Sequence, residues 1–414
     1  MNHVIVGAGP AGIIAAETLR RLDQHAQITV IGAETNAPYS RMAIPYFLAD
    51  DITESGTHLR HSANHFLEQK IEVRQGVVAA LSPKDRNIRF DDNQTLSYDK
   101  LLLACGSHTL RPPIPGIDLP AIENCWTLED ARKIIAHAKP GSRVVLMGAG
   151  FIGCIVLEAL VARKVDLTVV EMAPHMLARM MDETGGAMIK RWCEKEGVKV
   201  LTSTKVTEIN QADTHLHLTL EGSSDVDADL VVCATGVAPN IDFLANTGIA
   251  TDHGILVDEH LQTSVEHIYA AGDVAQGYDF STGKQEVHAI QPTASEHGRL
   301  AAQNMSGKST RFAGSLSMNV LNTLGLVSSS YGLWMGVNGG DRAQAINEDA
   351  FRYLRLEFDG DFLIGALCMG FTQHVGAIRG LLQTKIPLGP WKDILLRHPH
   401  RVMEAYLART QSAA

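Results

Sequence analysis

Two glycine-rich turns have the residue types and spacing that hold a pyrophosphate in dinucleotide-binding proteins. Each turn follows a short apolar run, opens an Ala- and Leu-rich stretch and is followed by a second apolar run that ends in a glutamate. The glycines of the two copies are Gly7, Gly9 and Gly12, and Gly148, Gly150 and Gly153. The first glycine allows the sharp bend, the second lets the backbone approach phosphate, and the third lets helix and strand pack closely. The repeated order of strand, turn, helix, strand and acid predicts two dinucleotide-binding folds.

The glutamates that end the two copies are candidates for contacts with a ribose. Glu34 lies 27 residues after Gly7, and Glu171 lies 23 residues after Gly148. A carboxylate at this place accepts hydrogen bonds from a ribose 2′-hydroxyl and repels a 2′-phosphate. Glu171 therefore favours NADH over NADPH in the second copy. The alternative for both copies is a glycine-bearing turn without a ligand.

Three predicted helices begin at residues whose backbone could face an anion. Pro10 and Ala11 open the helix of the first copy, and Phe151 and Ile152 open that of the second. The segment from Gln291 and Pro292 opens a third helix, with proline near the first position where its missing N–H does no harm. Backbone amides and the helix dipole at each start would then face negative charge.

The elements around these turns divide a chain that is too long for one core. With 414 residues, two or three domains are expected. Segments of alternating polarity after each copy predict antiparallel meanders. From about Arg311 the pattern of polar and apolar residues changes again. Two strands joined by a turn at 359–361 and a helical tail over 391–409 are predicted beyond that point. The fold class is α/β, with two Rossmann-like dinucleotide-binding domains and a small α+β C-terminal domain.

Composition and cysteine spacing narrow the function classes. The formal net charge of -10 argues against a nucleic-acid-binding protein. No run of about 18 apolar residues appears, and no basic, then apolar leader precedes the strand that starts at Val4, so we expect a cytoplasmic protein without a transmembrane segment. The six cysteines include no CxxC pair, which excludes a local cysteine-pair redox motif and the usual zinc pattern. No metal site is predicted.

The order of motifs resembles the two-dinucleotide-domain flavoprotein reductases, within the pyridine nucleotide-disulfide oxidoreductase superfamily. The nearest group holds ferredoxin, rubredoxin and putidaredoxin reductases and the flavin part of NADH-dependent nitrite reductase. Besides the two glycine turns, the motifs are Pro38-Tyr39-Ser40-Arg41, Leu103-Ala104-Cys105-Gly106-Ser107, Ala234-Thr235-Gly236 and Ala271-Gly272-Asp273. They cover roughly residues 1–310, and the stretch 353–370 more weakly resembles the C-terminal domain of rubredoxin reductases.

The resemblance implies a domain plan of the glutathione-reductase type. Residues 1–112 and 243–310 would form a discontinuous FAD-binding domain, 113–242 an NAD-binding domain, and 311–414 a C-terminal domain for the acceptor or for dimerisation. The first glycine turn would hold FAD and the second the nicotinamide nucleotide, with Gly236 among the residues of the second site.

The resemblance also implies roles for single residues near FAD. Arg41 would lie near its phosphates, and Val78 would offer backbone to the adenine. Ala104 and Gly106 would let the chain pass close to the cofactor. Asp273 would bond the ribityl or pyrophosphate region. The helix from Gln291 and Pro292 would point its N-terminus at the flavin N1–C2=O edge. Arg41 as a surface cation and Gly106 as a simple strand end are the alternatives.

The sequence departs from this family at two places. Residues 35–60 contain no cysteine, and methionine stands at position 42, where related disulfide reductases and oxidases have a reactive cysteine. Thiol mechanisms are therefore not expected. Ferredoxin-type reductases pair a lysine with a glutamate near flavin N5, and here Tyr46 and Ile155 occupy the matching positions. Since both partners are missing together, no unpaired buried charge is left.

The function that this pattern favours is hydride transfer from NADH to FAD, followed by electron transfer to a small redox protein or a partner subunit. No residue is a clear covalent catalyst, and His288 is the best candidate for a proton relay, against the plainer interpretation of a structural histidine. A flavin oxidase or quinone or small-molecule reductase with an altered NADH site is one alternative. A redox-sensing interaction protein that binds FAD and NADH is another. A homodimer is a further expectation.

Overall fold

Helices separate the first strands of each glycine-turn repeat, and runs of consecutive strands make up much of the rest of the chain. The structure is a computed structural model and describes residues 1–411. In chain order the strands are β1 (Asn2–Val6), β2 (Gln27–Gly32), β3 (Glu72–Gln75), β4 (Val78–Ser82), β5 (Asn87–Phe90), β6 (Thr95–Ser97), β7 (Lys100–Leu103), β8 (Ser107–Thr109), β9 (Ile122–Asn124), β10 (Arg143–Met147), β11 (Asp166–Val170), β12 (Lys199–Leu201), β13 (Lys205–Ala212), β14 (His215–Glu221), β15 (Val226–Ala228), β16 (Leu230–Cys233), β17 (Val237–Pro239), β18 (Ile255–Leu256), β19 (Ile268–Ala270), β20 (Ala275–Tyr278), β21 (Gln285–Val287), β22 (Met318–Thr323), β23 (Leu326–Gly332), β24 (Asp341–Asn347), β25 (Arg352–Asp359) and β26 (Phe362–Met369).

The helices connect these strands and cover their faces. They are α1 (Pro10–Leu22), α2 (Ile44–Leu48), α3 (His65–Glu68), α4 (Leu128–His137), α5 (Phe151–Ala162), α6 (Glu183–Lys195), α7 (Gln291–Met305), α8 (Val375–Thr384), α9 (Pro390–Arg397) and α10 (Val402–Gln411). Among the residues that the structure describes, no helix has the length and apolar character needed to span a bilayer.

Two parallel sheets with the same strand order confirm the predicted duplication. The first has the order β19-β7-β1-β2-β3, and the second has β9-β16-β10-β11-β12. Every neighbouring pair in both sheets is parallel. Strands β1 and β10 are central and almost fully buried, which is why each reads as an unbroken apolar run in the sequence.

In each parallel sheet an antiparallel meander is inserted between two of its strands, where the alternating segments predict one. Strands β4, β5 and β6 form the first meander, and β13, β14 and β15 form the second. The C-terminal part adds a five-stranded antiparallel sheet in the order β22-β23-β26-β25-β24, packed against α8, α9 and α10 around its own apolar core. The fold class predicted from the sequence is therefore confirmed.

Contacts within the chain define two units. The first comprises Met1–Leu110 and Val237–Ser315, and the second comprises Arg111–Gly236 and the chain from Leu316 onwards. The second unit thus contains both the second parallel sheet and the C-terminal sheet. The division into three domains, at the boundaries given above, remains a prediction, because a grouping by contacts does not test which parts fold independently.

Within the second unit, helix α6 is tied to the C-terminal sheet by buried polar contacts. Asp182 caps α6 by accepting from the amide of Gly185 at 2.8 Å. The same carboxylate accepts from the hydroxyl of Tyr353 at 2.5 Å and from Arg355 Nη1 at 2.7 Å. The indole N–H of Trp192 donates to the carbonyl oxygen of Thr323 at 3.1 Å.

Candidate functional site

The first glycine turn joins β1 to α1 through a bend that excludes larger residues. Gly7 has a φ of +119°, and a Cβ there would lie 2.0 Å from the carbonyl oxygen of Ala104. A Cβ on Gly12 would lie 1.9 Å from the carbonyl oxygen of Gly7. The turn therefore packs directly against the end of β7, where sequence reasoning placed Ala104 beside the cofactor.

The second glycine turn, between β10 and α5, repeats this geometry. Gly148 has a φ of +100°, and a Cβ there would lie 2.5 Å from the carbonyl oxygen of Ala234, at the end of β16. A Cβ on Gly153 would lie 2.1 Å from the carbonyl oxygen of Gly148. Gly236, with a φ of +126°, follows Ala234 by two residues.

The middle glycine of each turn has free space where a Cβ would lie, in contrast to the two outer glycines. A Cβ on Gly9 or Gly150 would meet no atom of the protein within 4 Å. Both residues are the N-caps of their helices, neither helix has a side-chain cap, and neither has an acidic residue in its first turn. Pro10 and Ala11 open the first helix, and Phe151 opens the second, followed by Ile152. Each turn thus offers unshielded backbone at a helix N-terminus, which fits a pyrophosphate.

Glu34 stands beyond β2, within reach of the Pro38–Arg41 motif. The hydroxyl of Tyr39 donates to Glu34 Oε2 at 2.7 Å, and Arg41 Nη2 lies 3.5 Å from Glu34 Oε1. Arg41 Nη1 donates to the carbonyl oxygen of Ser107 at 3.1 Å. The structure therefore brings Glu34 and Arg41 together, and it places Arg41 beside the end of the Leu103–Ser107 motif.

Asp273 is a half-buried acid near the first turn. Ser107 Oγ donates to Asp273 Oδ2 at 3.3 Å. Burial raises the pKa of the Asp273 carboxyl, and the positive charge of Arg41 opposes that rise. A Cβ on the preceding Gly272 would lie 3.2 Å from the Cβ of Ala11, so Asp273 sits close to the start of α1.

Helix α7 crosses α1 close to the same turn. A Cβ on Gly298 would lie 2.2 Å from the carbonyl oxygen of Ala11, so the two helices touch there. Pro292 stands in the first turn of α7, as predicted. The side chain of Gln291 accepts from Ser40 Oγ at 2.5 Å, which ties the start of α7 to the Pro38–Arg41 motif. The N-terminus of α7 therefore faces the region of Arg41.

Glu171 is oriented by backbone amides of its own fold. Its Oε2 accepts from the amide of Ala149, inside the second glycine turn, at 2.6 Å. Its Oε1 accepts from the amide of Ala173 at 2.7 Å. These bonds fix the carboxylate beside the turn, and each oxygen keeps a lone pair for a further donor such as a ribose hydroxyl.

Val78 and Gly106 both belong to the first unit. Val78 begins β4, opposite Phe90 in β5, and packs on the core of the first fold. Gly106, with a φ of +68°, accepts from the amide of Asn240 at 2.9 Å. The Asn240 side chain also donates to the carbonyl oxygen of Cys105 at 2.8 Å. Sequence reasoning missed Asn240, whose only signal was its place shortly after the Ala234–Gly236 motif.

His288 has a partner that sequence reasoning did not find. Its Nε2 lies 3.0 Å from Asp279 Oδ2, and both side chains are largely buried. Burial alone would raise the pKa of Asp279, but the nearby His288 imidazole and hydrogen bonds from Thr282 outweigh burial and leave that pKa below its ordinary value. His288 lies three residues before the start of α7, so the pair is an acid–base group near that helix terminus.

At the positions where the sequence departs from the family pattern, the side chains are uncharged and differ in their solvent exposure. Tyr46 is 58% exposed and Met42 is 46% exposed, while Ile155 is half-buried in α5. All six cysteines are free in thiol form, and burial raises the pKa of each thiol, to about 12 for Cys105. Such thiols are poor nucleophiles, which agrees with the expectation that no thiol mechanism operates.

The chain matches the family model described as pyridine nucleotide-disulphide oxidoreductase over residues 1–298. It belongs to this family. The epsilon subunit of NADH-dependent phenylglyoxylate dehydrogenase from Aromatoleum evansii is 30% identical over 99% of this chain and 98% of that protein. Rhodocoxin reductase from Rhodococcus erythropolis is 33% identical over 75% of this chain and 74% of that protein.

Solved structures support the same fold. Putidaredoxin reductase, in its covalent complex with putidaredoxin, superposes with a TM-score of 0.90 at 23% identity and covers 99% of both chains. Three predictions are confirmed: the family resemblance, the architecture with two dinucleotide-binding folds, and the oxidoreductase class. The electron-transfer function expected from the sequence agrees with the activities for which the relatives are named.

Proposed function

We propose that this chain is a FAD-dependent NADH oxidoreductase that passes electrons to a small redox protein or a partner subunit. FAD binds at the turn of Gly7, Gly9 and Gly12, and NADH binds at that of Gly148, Gly150 and Gly153. The observation that carries the proposal is the matched geometry of the two turns. In each turn the outer glycines are locked against a neighbouring strand or turn, and the middle glycine is open.

The residues of the first site bind and orient the cofactor, which supplies the hydride and electron chemistry when bound. Arg41 offers positive charge to the phosphates, and Glu34 accepts from a ribose hydroxyl. Asp273 is proposed to bond the ribityl or pyrophosphate region. The N-terminus of α7, at Gln291 and Pro292, places about half a positive charge where negative charge develops on reduction.

The residues of the second site favour NADH. The Glu171 carboxylate is held beside the turn by two amides and would repel a 2′-phosphate. Met172, the next residue, is 68% exposed and carries no charge to attract such a phosphate. The preference for NADH over NADPH follows from these two positions.

The His288–Asp279 pair is proposed as the proton relay. A carboxylate that accepts from one imidazole nitrogen fixes the ring and leaves the other nitrogen to exchange a proton. His288 Nε2 lies 3.0 Å from Asp279 Oδ2 without a hydrogen bond between them, and we propose that a small rotation of the ring lets the carboxylate accept from this nitrogen. No other residue of this chain is proposed as an acid–base catalyst.

The acceptor is proposed to be a protein. Relatives of this chain are named as a rhodocoxin reductase, as a rubredoxin reductase and as a subunit of an NADH-dependent dehydrogenase. We also propose a cytoplasmic location and a homodimer formed through the C-terminal part, and light scattering of the purified protein tests the latter.

Anaerobic mixing with NADH tests the proposed function. Flavin absorbance should bleach within seconds, and addition of oxidised rubredoxin or ferredoxin should restore it. If no bleaching occurs over minutes, the reductase is refuted. Slow bleaching with a stable charge-transfer band would instead support a redox-sensing interaction protein.

A second candidate function is a flavin oxidase or a quinone or small-molecule reductase. The observation that favours it is the uncharged pair of residues Tyr46 and Ile155, at the positions where ferredoxin-type reductases have lysine and glutamate. Oxygen or benzoquinone would then reoxidise the NADH-reduced protein faster than any small redox protein. Comparing these reoxidation rates in one stopped-flow series separates the two functions.

A further inference from the structure

Ser40 meets the first residue of α7, although the two residues stand 251 positions apart in the chain. The hydroxyl of Ser40 donates to Oε1 of Gln291 at 2.5 Å, and both residues belong to the first unit. The backbone of Ser40 is held separately. Its amide donates to the carbonyl oxygen of Thr57 at 3.0 Å, and its carbonyl oxygen accepts from the amide of Ala43 at 3.0 Å. The position of the hydroxyl therefore does not depend on Gln291.

The direction of this hydrogen bond decides which end of the Gln291 side chain is left open. A glutamine amide has an acceptor oxygen on one side and a nitrogen with two N–H donors on the other. With Oε1 turned to Ser40, Nε2 faces away from Ser40. Among the residues that the structure describes, none accepts a hydrogen bond from Nε2. Two donors at the start of α7 therefore remain for a group outside the chain.

The backbone at the start of α7 is fixed by other contacts. The hydroxyl of Thr293, in the first turn, accepts from Ser315 Oγ at 3.2 Å, and both side chains are buried. A Cβ on Gly298 would lie 2.2 Å from the carbonyl oxygen of Ala11, so α7 packs directly on α1. The helix start is thus held in place, whereas the direction of the Gln291 amide depends on the single bond from Ser40.

That direction decides the sign of the charge that Gln291 adds to the helix start. The N-cap residue Ile290 makes no side-chain capping bond, and the first turn contains no acidic residue. The helix N-terminus itself carries about half a positive charge. An Nε2 group facing outward adds partial positive charge there, whereas a rotated amide would present Oε1 and oppose the helix dipole.

Ser40 also lies between two residues of the proposed FAD site. The hydroxyl of Tyr39 donates to Glu34 Oε2 at 2.7 Å, and Arg41 Nη2 lies 3.5 Å from Glu34 Oε1. The Pro38–Arg41 motif therefore contacts both the acid assigned to a ribose hydroxyl and the helix start assigned to the reduced flavin.

We propose, resting on the proposed function, that Ser40 is a positioning residue that turns the Nε2 donors of Gln291 towards the flavin. Gln291 then stabilises the negative charge that develops on reduction, in addition to the dipole of α7. Because this donor meets that charge only in the reduced state, the bond from Ser40 raises the midpoint potential of the flavin. The pair is not required for FAD to bind, since the pyrophosphate is assigned to the first glycine turn.

The midpoint potential of the FAD-loaded full chain tests the inference, measured by anaerobic dithionite titration against a reference dye. Ser40→Ala removes the bond that orients Gln291, and Gln291→Met keeps the length of the side chain without its amide. Each should lower the equilibrium constant for reduction by about tenfold, which is about 30 mV for a two-electron couple. Ser62→Ala makes the same change at an exposed serine of the first unit and should leave the potential unchanged.

The double variant of Ser40→Ala and Gln291→Met shows whether Ser40 acts through Gln291. Its midpoint potential should be no lower than that of either single variant, because the second change has nothing left to remove. A merely structural role of Ser40 would lower the thermal midpoint or FAD retention without this dependence of one variant on the other.

Two results would overturn the inference. One is a wild-type midpoint potential in FAD-loaded Ser40→Ala or in FAD-loaded Gln291→Met. The other is a double variant whose potential falls by the sum of the two single shifts. If Ser40→Ala does not retain FAD, a bond that the proposal treats as dispensable for binding is required for it, which also overturns the inference. All these outcomes leave the reductase function standing, because that function fails only if the wild type holds no FAD or is not reduced by NADH.

Discussion

The substitution Gly150→Ala should weaken NADH binding without disturbing the fold. Gly150 has a φ of -76° and a ψ of -168°, which alanine adopts without strain. The added Cβ would meet no protein atom within 4 Å. The methyl group would therefore occupy only the space that we assign to the nucleotide pyrophosphate.

The size of the effect follows from the bonds that the methyl group would prevent. Alanine at an N-cap costs roughly 0.5–1 kcal/mol of stability relative to better capping residues. A hydrogen bond to a charged group contributes about 1.5–3 kcal/mol. Loss of one or two amide–phosphate bonds then costs about 2–4 kcal/mol, which corresponds to roughly 30- to 1000-fold in the NADH dissociation constant.

The assay is the NADH concentration dependence of flavin bleaching under anaerobic conditions. The variant should keep its FAD and lose no more than about 2–4 °C in thermal midpoint, while the half-saturating NADH concentration rises. Gly153→Ala is the matched control, because its Cβ would lie 2.1 Å from the carbonyl oxygen of Gly148 and should destabilise the fold itself. NADH affinity within about threefold of wild type in a folded Gly150→Ala protein would refute the assigned site.

Three further substitutions test other parts of the structure. Glu171→Ala should narrow the ratio of kcat/KM for NADH over NADPH, and a wild type that already prefers NADPH would contradict the role of this residue. Burial lowers the pKa of His297 to about 4, so the unfolded chain takes up a proton that the folded protein does not, and stability should fall as pH drops from 6.5. Through His297 the wild type should lose about 2 kcal/mol of unfolding free energy between pH 6.5 and 5. The variant His297→Leu should not show this loss when urea unfolding is measured at both pH values. Asp182→Ala removes a helix cap and a partner of buried Arg355, and should cost about 2–4 kcal/mol in the same assay.

The two dinucleotide-binding folds could be predicted because their rules are local. A buried parallel strand reads as an apolar run, and the sharp bend after it needs glycine at Gly7 and Gly148, where φ is positive. Each copy of this order of signals, from glycine turn to acid, spans fewer than 30 residues, 27 from Gly7 to Glu34 and 23 from Gly148 to Glu171.

Contacts between distant segments could not be predicted from single-sequence patterns. The bond from Arg355 to Asp182 joins residues 173 positions apart, and neither residue stands in a recognisable motif. The partner of His288 was missed for a similar reason, because Asp279 lies in a turn-rich segment where an acid is ordinarily solvated. Burial of both side chains is a property of the folded chain and leaves no local signal.

The paired change at Tyr46 and Ile155 concerns the chemistry more than the binding of the nucleotide. Glu171, which is assigned to NADH binding, is held by the amides of Ala149 and Ala173, and neither bond involves Tyr46 or Ile155. Removing one member of a lysine–glutamate pair would leave a buried charge, whereas replacing both leaves none. The nucleotide should therefore bind normally, while hydride transfer proceeds without the charged pair. A kcat that is low relative to ferredoxin-type reductases, at an ordinary KM for NADH, is the kinetic pattern that this arrangement predicts.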